Sequence, residues 1–193
     1  MKNKLICVVG MPGSGKSLVS DELIKKGFSY IRFGQITLDK IKEAGLAVTE
    51  DNEKRIREEL RQEHGMAAFA LLNIPKIDEL LEKSNVVVDG LYSWSEYKVL
   101  KKKYEERIEV VAVYASPCLR YERLNNRKLE ASDLEQRFRP LEEEEAKARD
   151  YAEIENLEKG GPIAMADFIV VNTGTIDQLK QQVKLIIENV LCD

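Results

Sequence analysis

The chain has 193 residues, 44% of them hydrophobic and 33% charged, and a formal net charge of -4. That length suits one domain, residues 1–193, and the mild acidity predicts no nucleic-acid or membrane partner. Cys7, Cys118 and Cys192 lie far apart and His64 is the one histidine, which argues against a disulfide framework or a Cys/His zinc site and for a reducing, cytoplasmic setting.

Leu5 to Val9 is a continuous apolar run ending at Gly10, which predicts a buried parallel strand. Its five residues are too few for a signal-peptide core or a membrane span. A helix is expected from about Lys16 to Lys26, stopped by Gly27, then a second strand over Phe28 to Phe33. Thr37 to Ala44 reads as a short helix. Asp51 to His64 reads as a long polar helix closed by Gly65, with His64 complementing the dipole at its end. Met66 to Lys83 is largely apolar and helical, with a kink expected near Pro75.

Val86 to Val88 predicts a third buried strand, stopping at Asp89-Gly90. Ser93-Trp94-Ser95-Glu96 is a capping box that opens a helix. Ile108 to Tyr114 predicts a fourth strand, and Ser116-Pro117 gives an N-cap followed by proline at the first helical position. Ser132 to Lys159 is charged and helical in character, broken at Pro140 and closed by Gly160-Gly161-Pro162. Phe168 to Val171 predicts a fifth strand. In the last helix Leu179, Val183, Ile186, Ile187 and Val190 share a face. Strands alternating with helices imply a three-layer α/β fold around a five-stranded parallel sheet. Two helical insertions stand out, on the acceptor side at 37–83 and lid-like at 128–160.

Gly10-Met11-Pro12-Gly13-Ser14-Gly15-Lys16-Ser17 matches G-x-x-x-x-G-K-[ST] at every defined position, between a strand and a helix. Glycines let backbone N–H groups turn inward around an anion, and the helix N-terminus adds its positive end. The motif predicts a P-loop NTPase fold. In it Gly10, Pro12, Gly13, Ser14, Gly15, Lys16, Ser17 and Leu18 hold the phosphates of ATP or GTP, and Lys16 stands exposed until phosphate arrives. Ser17 is placed to ligate Mg²⁺, and Asp89, at the end of a strand expected beside the first, is the second candidate metal ligand. Gly90 follows Asp89 where ATP-driven motors carry a second acid, and the guanine-reading N-K-x-D is absent. Both features favour phosphoryl transfer to a small acceptor.

Arg120, Arg123 and Arg127 recur on one helical face leading toward the charged insertion that holds Arg137 and Arg139, with Arg149 beyond. Guanidinium groups bind phosphates bidentately and stack on bases, so a lid can use them to neutralise the transferred group. Arg123, Arg127 and Arg137 are the catalytic candidates, beside Lys16 and Asp89. The bland reading is a solvated face with pairs such as Glu145–Arg149, and Glu142 to Glu145 reads as solvated surface. Arg57 and Arg61, one turn apart, are expected to converge on an acceptor phosphate, with Arg32, Gly34 and Gly90 as further acceptor residues. The bland alternative pairs these arginines with Glu53, Glu58 or Glu63.

In this order, the cradle, the strand ending Asp89-Gly90, the arginine row and the late lid resemble the nucleoside monophosphate kinases. Leu60-Arg61-Gln62-Glu63-His64-Gly65 and Val86 to Gly90 are similar to adenylate-kinase-related proteins. Ala166 to Gly174 resembles the end of dephospho-CoA kinases, which implies that Asn172 and Gly174 lie beside the adenine. The resemblance implies ATP and Mg²⁺ as cofactors and a small nucleotide-like acceptor. Phe33-Gly34-Gln35 and Leu91-Tyr92-Ser93 stand where adenylate kinases carry Thr-Gly-Asp and Phe-Pro-Arg, and Leu38 replaces an arginine. The usual acceptor-phosphate arginines are therefore missing. A nucleotide-dependent regulatory ATPase or switch acting on a protein partner is the alternative.

Overall fold

The computed structural model describes residues 2–127 and 140–192. Five strands, β1 (Leu5–Val9), β2 (Ser29–Arg32), β3 (Val86–Asp89), β4 (Ile108–Tyr114) and β5 (Phe168–Val171), form one parallel sheet. Their order is β2-β3-β1-β4-β5. Every strand thus ends at the same edge, and β1 pairs with both β3 and β4 in the middle. The register sets Asp89 beside Val8 on one side and Arg32 on the other.

The unbroken apolar strands follow from burial on both faces. Leu5, Cys7 and Val9 point into one hydrophobic cluster, Ile6 and Val8 into the other. The first cluster is covered by α3 (Glu50–His64), α4 (Ala68–Leu81) and α5 (Trp94–Tyr104), with α2 (Gln35–Glu43) at its rim. The second is covered by α1 (Lys16–Lys25) and α9 (Ile176–Cys192). These are the three layers expected from the alternation of strands and helices.

Local signals mark the helix ends. Thr49 caps α3 by accepting from the Asn52 N–H, and Ser93 and Glu96 form the reciprocal capping box of α5. Pro117 opens α6 (Pro117–Asn125) at its first turn. Pro75 is accommodated inside α4. The end of α7 (Glu143–Leu157) departs from expectation. Glu158 ends it in the left-handed region, at φ 52°, and Gly160-Gly161-Pro162 opens a short helix, α8 (Gly160–Ala164), instead of closing one. Proline is tolerated in a first helical turn because its missing N–H has no partner there. Arg137 and Arg139 lie outside the described residues. Among the described residues no helix is long and apolar enough to cross a membrane.

Candidate active site

The P-loop joins β1 to α1 and is held from behind by three elements. Gly13 has φ 77°, and a Cβ there would lie 2.7 Å from the Arg120 carbonyl oxygen, so only glycine fits. Gly15, at φ 99°, caps α1, and a Cβ on it would collide with the Asn172 amide. Asn172 donates from Nδ2 to the Ser14 carbonyl at 2.8 Å, while its own carbonyl accepts from Arg123 Nη2 at 2.9 Å. Arg120 donates from Nη1 to the Pro12 carbonyl at 3.0 Å and from Nε to the Ala115 carbonyl at 3.2 Å. The same guanidinium makes a bidentate pair with buried Asp150 of α7, which also accepts from the Tyr121 hydroxyl.

Arg120 is therefore a brace that ties the cradle to β4 and α7. Its place in an arginine row facing a lid is corrected by its burial. Arg123 leans over Asn172 with Nη1 buried and unbonded. Arg127 is desolvated, and burial first, then the nearby Arg149, lowers its affinity for a proton. Arg137 cannot be placed, since it lies outside the described residues. The Asn172 side chain is occupied with the cradle, and Gly174 sits in the turn where Gln178 caps the start of α9.

Lys16 is half-buried, which corrects the expectation of an exposed lysine. Its ammonium donates to the Met11 carbonyl at 3.3 Å. Burial pushes it down to about 8; Lys159 adds to the depression, and Asp89 and Glu153 oppose it. A desolvated ammonium held by one weak carbonyl contact is stabilised by an arriving anion. Among the described residues no hydrogen bond occupies the N–H groups of Gly13, Gly15 and Lys16. Ser17, at the same helix start, is exposed, and Leu18 beside it is exposed as well.

Magnesium fits this arrangement. It binds through one or two protein oxygens plus substrate phosphates, in contrast to a cage of protein ligands. Ser17 and half-buried Asp89 offer that donor set at the ends of adjoining elements, and no cluster of three or more His, Cys, Asp or Glu able to hold a metal occurs among the described residues.

Next to the cradle lies a cavity of about 960 Å³, walled by β2, α2, α3 and α7. Arg32, Gly34, Arg57 and Arg61 all line it. Gly90 does not; it has φ 98° and lies under the Tyr92 ring. Arg57 is spent on Glu50 at 2.7 Å and Glu53 at 3.0 Å, so the bland pairing holds for it. Arg61 differs. Its guanidinium lies 5.2 Å over the Phe69 ring, and among the described residues its Nε is buried without a hydrogen bond and no carboxylate pairs with it. Burial lowers its proton affinity, while Glu96 opposes that.

The far wall comes from α7, expected as lid. Arg149 pairs with Glu153 at 3.2 Å and not with Glu145. Glu153 also takes Lys159, which is 1% exposed and lies 5.1 Å over the Tyr92 ring. Burial alone would raise the Glu153 carboxyl; Lys159, then Arg149 and Lys16, hold it at about 2. Lys159, Glu153, Asp150 and Tyr92 were not legible as site residues. Asp150 is 30 positions from its arginine, and Lys159 follows Glu153 by six, a spacing that no helical pairing rule marks.

A parallel sheet with the cradle after its central strand and a carboxylate ending the next defines a P-loop α/β domain of kinase-like fold. An AAA domain family model matches residues 6–158. A UPF0200 protein of Thermococcus gammatolerans is 38% identical over 189 residues, covering 97% of this chain and 95% of that one. The chain belongs to the UPF0200 family. Two solved structures share its fold: TT1252 from Thermus thermophilus, at TM-score 0.61 and 20% identity, covers 98% of both chains. Shikimate kinase from Bacteroides thetaiotaomicron has TM-score 0.59 and 18% identity over 97% of this chain and 98% of that one.

Proposed function

We propose that this protein is a P-loop kinase that transfers the γ-phosphoryl group of ATP to a nucleotide-like acceptor, a relative in function of the adenylate and dephospho-CoA kinases. Lys16 and the loop N–H groups hold the β- and γ-phosphates. Ser17 and Asp89 would hold Mg²⁺, which would draw charge from the phosphate oxygens. Arg123 and Arg127 stand on the α6 side to meet charge on the transferred group. Positioning and electrostatics suffice for such a transfer, so no covalent nucleophile is required.

The observation that carries the acceptor assignment is Arg61. It is a desolvated guanidinium without a carboxylate partner among the described residues, lining a cavity large enough for a mononucleotide beside the cradle. Its site also offers Phe69, Tyr92, Leu38 and Met66 as apolar surface for a base or sugar. An anionic phosphate supplies the partner that Arg61 lacks. Arg61→Ala raises the acceptor KM at least about tenfold and barely changes ATP binding. The check is a panel of monophosphates, beginning with AMP, read by acceptor-dependent ADP release. Turnover that stays slow and indifferent to every acceptor would reject the kinase reading in favour of the regulatory ATPase.

A further inference from the structure

We infer that Lys159 is a second phosphate-binding lysine, delivered by the turn after α7 to the junction between the P-loop and the acceptor cavity. This extends the kinase reading, and it names as ligand the phosphoryl group in flight between donor and acceptor.

Three independent observations carry it. The first is burial. Lys159 is 1% exposed, an extreme position for lysine. Its ammonium faces Glu153 and the Tyr92 ring, both of which line the acceptor cavity. The second is backbone conformation. Glu158 adopts φ 52°, ψ 39°, a left-handed conformation that costs a non-glycine residue about 1 kcal/mol or more. That turn sends the chain inward at Lys159, and the Lys159 N–H is bonded back to the Glu153 carbonyl. Gly161 then lets α8 close against Trp94, where a Cβ would come within 2.8 Å of the indole.

The third is the charge environment. Among charged groups Lys159 acts most strongly on Lys16, ahead of Asp89. Lys159 and Arg149 act on Lys16 against Asp89 and Glu153, and Glu96 faces Lys159 in turn. Buried like charges repel unless an anion separates them. A phosphoryl group between Lys16 and Lys159 relieves that repulsion. As it arrives, Lys159 exchanges the Glu153 carboxylate for phosphate oxygen, and Glu153 remains paired with Arg149. The lysine thereby stands in for the arginines of the resembled kinases, whose places after β2 and β3 are taken here by Leu38 and Ser93.

The plain competitor is a buried pair that only fastens α8 to α7. The two readings separate on a probe that needs no acceptor: MgADP with aluminium fluoride, a mimic of the transferring phosphoryl group, titrated against the full chain. Lys159→Met weakens binding of the mimic at least about thirtyfold, and that loss exceeds any loss on MgADP alone by about tenfold or more. Lys159→Arg restores part of it. Glu153→Gln, which frees the ammonium, binds the mimic more tightly than the wild type although its melting temperature falls. Equal weakening in Lys159→Met and Glu153→Gln, or wild-type affinity in Lys159→Met, overturns the inference. If Lys159→Met does not fold, Glu153→Gln decides alone: tighter binding supports a phosphate-binding lysine, weaker binding a brace. A wild type that binds the mimic but phosphorylates no acceptor sinks the acceptor assignment and leaves Lys159 standing.

Discussion

The donor side and the acceptor side proposed for this site are built differently. Around the P-loop the main braces are paired, with Arg120 bonding Pro12, Ala115 and Asp150 and Asn172 bonding Ser14, while Arg123 Nη1 and the Ser14 hydroxyl stay unbonded among the described residues. Around the cavity the groups are held in reserve. Among the described residues Arg61 Nε has no partner, Glu96 Oε1 is buried and unbonded, and Lys159 and Arg149 share one carboxylate. A nucleotide triphosphate has invariant geometry, so its cradle is best fixed in advance. An acceptor that must be admitted, recognised and released is better served by charges whose partners can change.

The largest effect expected from that contrast falls on the donor side. Arg120→Ala removes the bond to Pro12 of the cradle and the two ties behind it, to Ala115 and Asp150, and leaves Asp150 as a buried carboxylate whose remaining described donor is Tyr121. Breaking one half of a buried pair costs about 3–5 kcal/mol. Chemical denaturation measures this directly. A loss under 1 kcal/mol would show that the brace is not under load, and would blur the distinction between a rigid donor half and an adaptable acceptor half.

What could be read in the sequence follows the same division. The P-loop is contiguous, and its glycines and lysine serve one chemistry, so eight residues suffice to specify it. The sheet was legible too, because burial on both faces writes unbroken apolar runs such as Leu5–Val9 and Val86–Val88. The cavity proposed for the acceptor was half legible. Arg32, Gly34, Arg57 and Arg61 do share one wall, but the spacing of Arg57 and Arg61 did not reveal that Glu50 and Glu53 would claim the first. The opposite wall comes from α7, which the Arg120–Asp150 pair ties to α6 across 30 residues. No local pattern encodes a contact of that kind.

A smaller effect is expected from Lys16. Its ammonium lies near 8 without nucleotide, and a bound phosphate raises that value by favouring the charged form. Below pH 8 the lysine is already protonated and binding is insensitive to pH. Above it, binding must take up a proton, so the MgATP dissociation constant rises, approaching about tenfold per pH unit. Calorimetry in buffers of different ionisation enthalpy reads the proton uptake. Flat affinity between pH 7.5 and 9.5 would mean that the free cradle does not depress Lys16, and that it is less preset than its braces suggest.

The smallest effect belongs to Glu96, on the acceptor side. Burial raises its carboxyl to about 7, against two backbone N–H bonds from Tyr92 and Ser93 and the nearby charges of Arg61 and Lys159. Its folded value thus lies above the unfolded one. The native state binds a proton that the unfolded chain has released, so the contribution to stability is complete below about pH 4.5 and is lost as pH rises through about 7. Glu96→Gln keeps an oxygen for both N–H groups and cannot ionise. The wild type therefore loses more melting temperature than Glu96→Gln between pH 5 and pH 8, by a few degrees for a chain of this size. The capping box persists in both proteins, so helix capping does not explain the difference. Parallel melting curves across that range would show that Glu96 stays ionised beside Arg61. In that case Arg61 already has a partner charge in reach, and the acceptor wall is as settled as the donor wall.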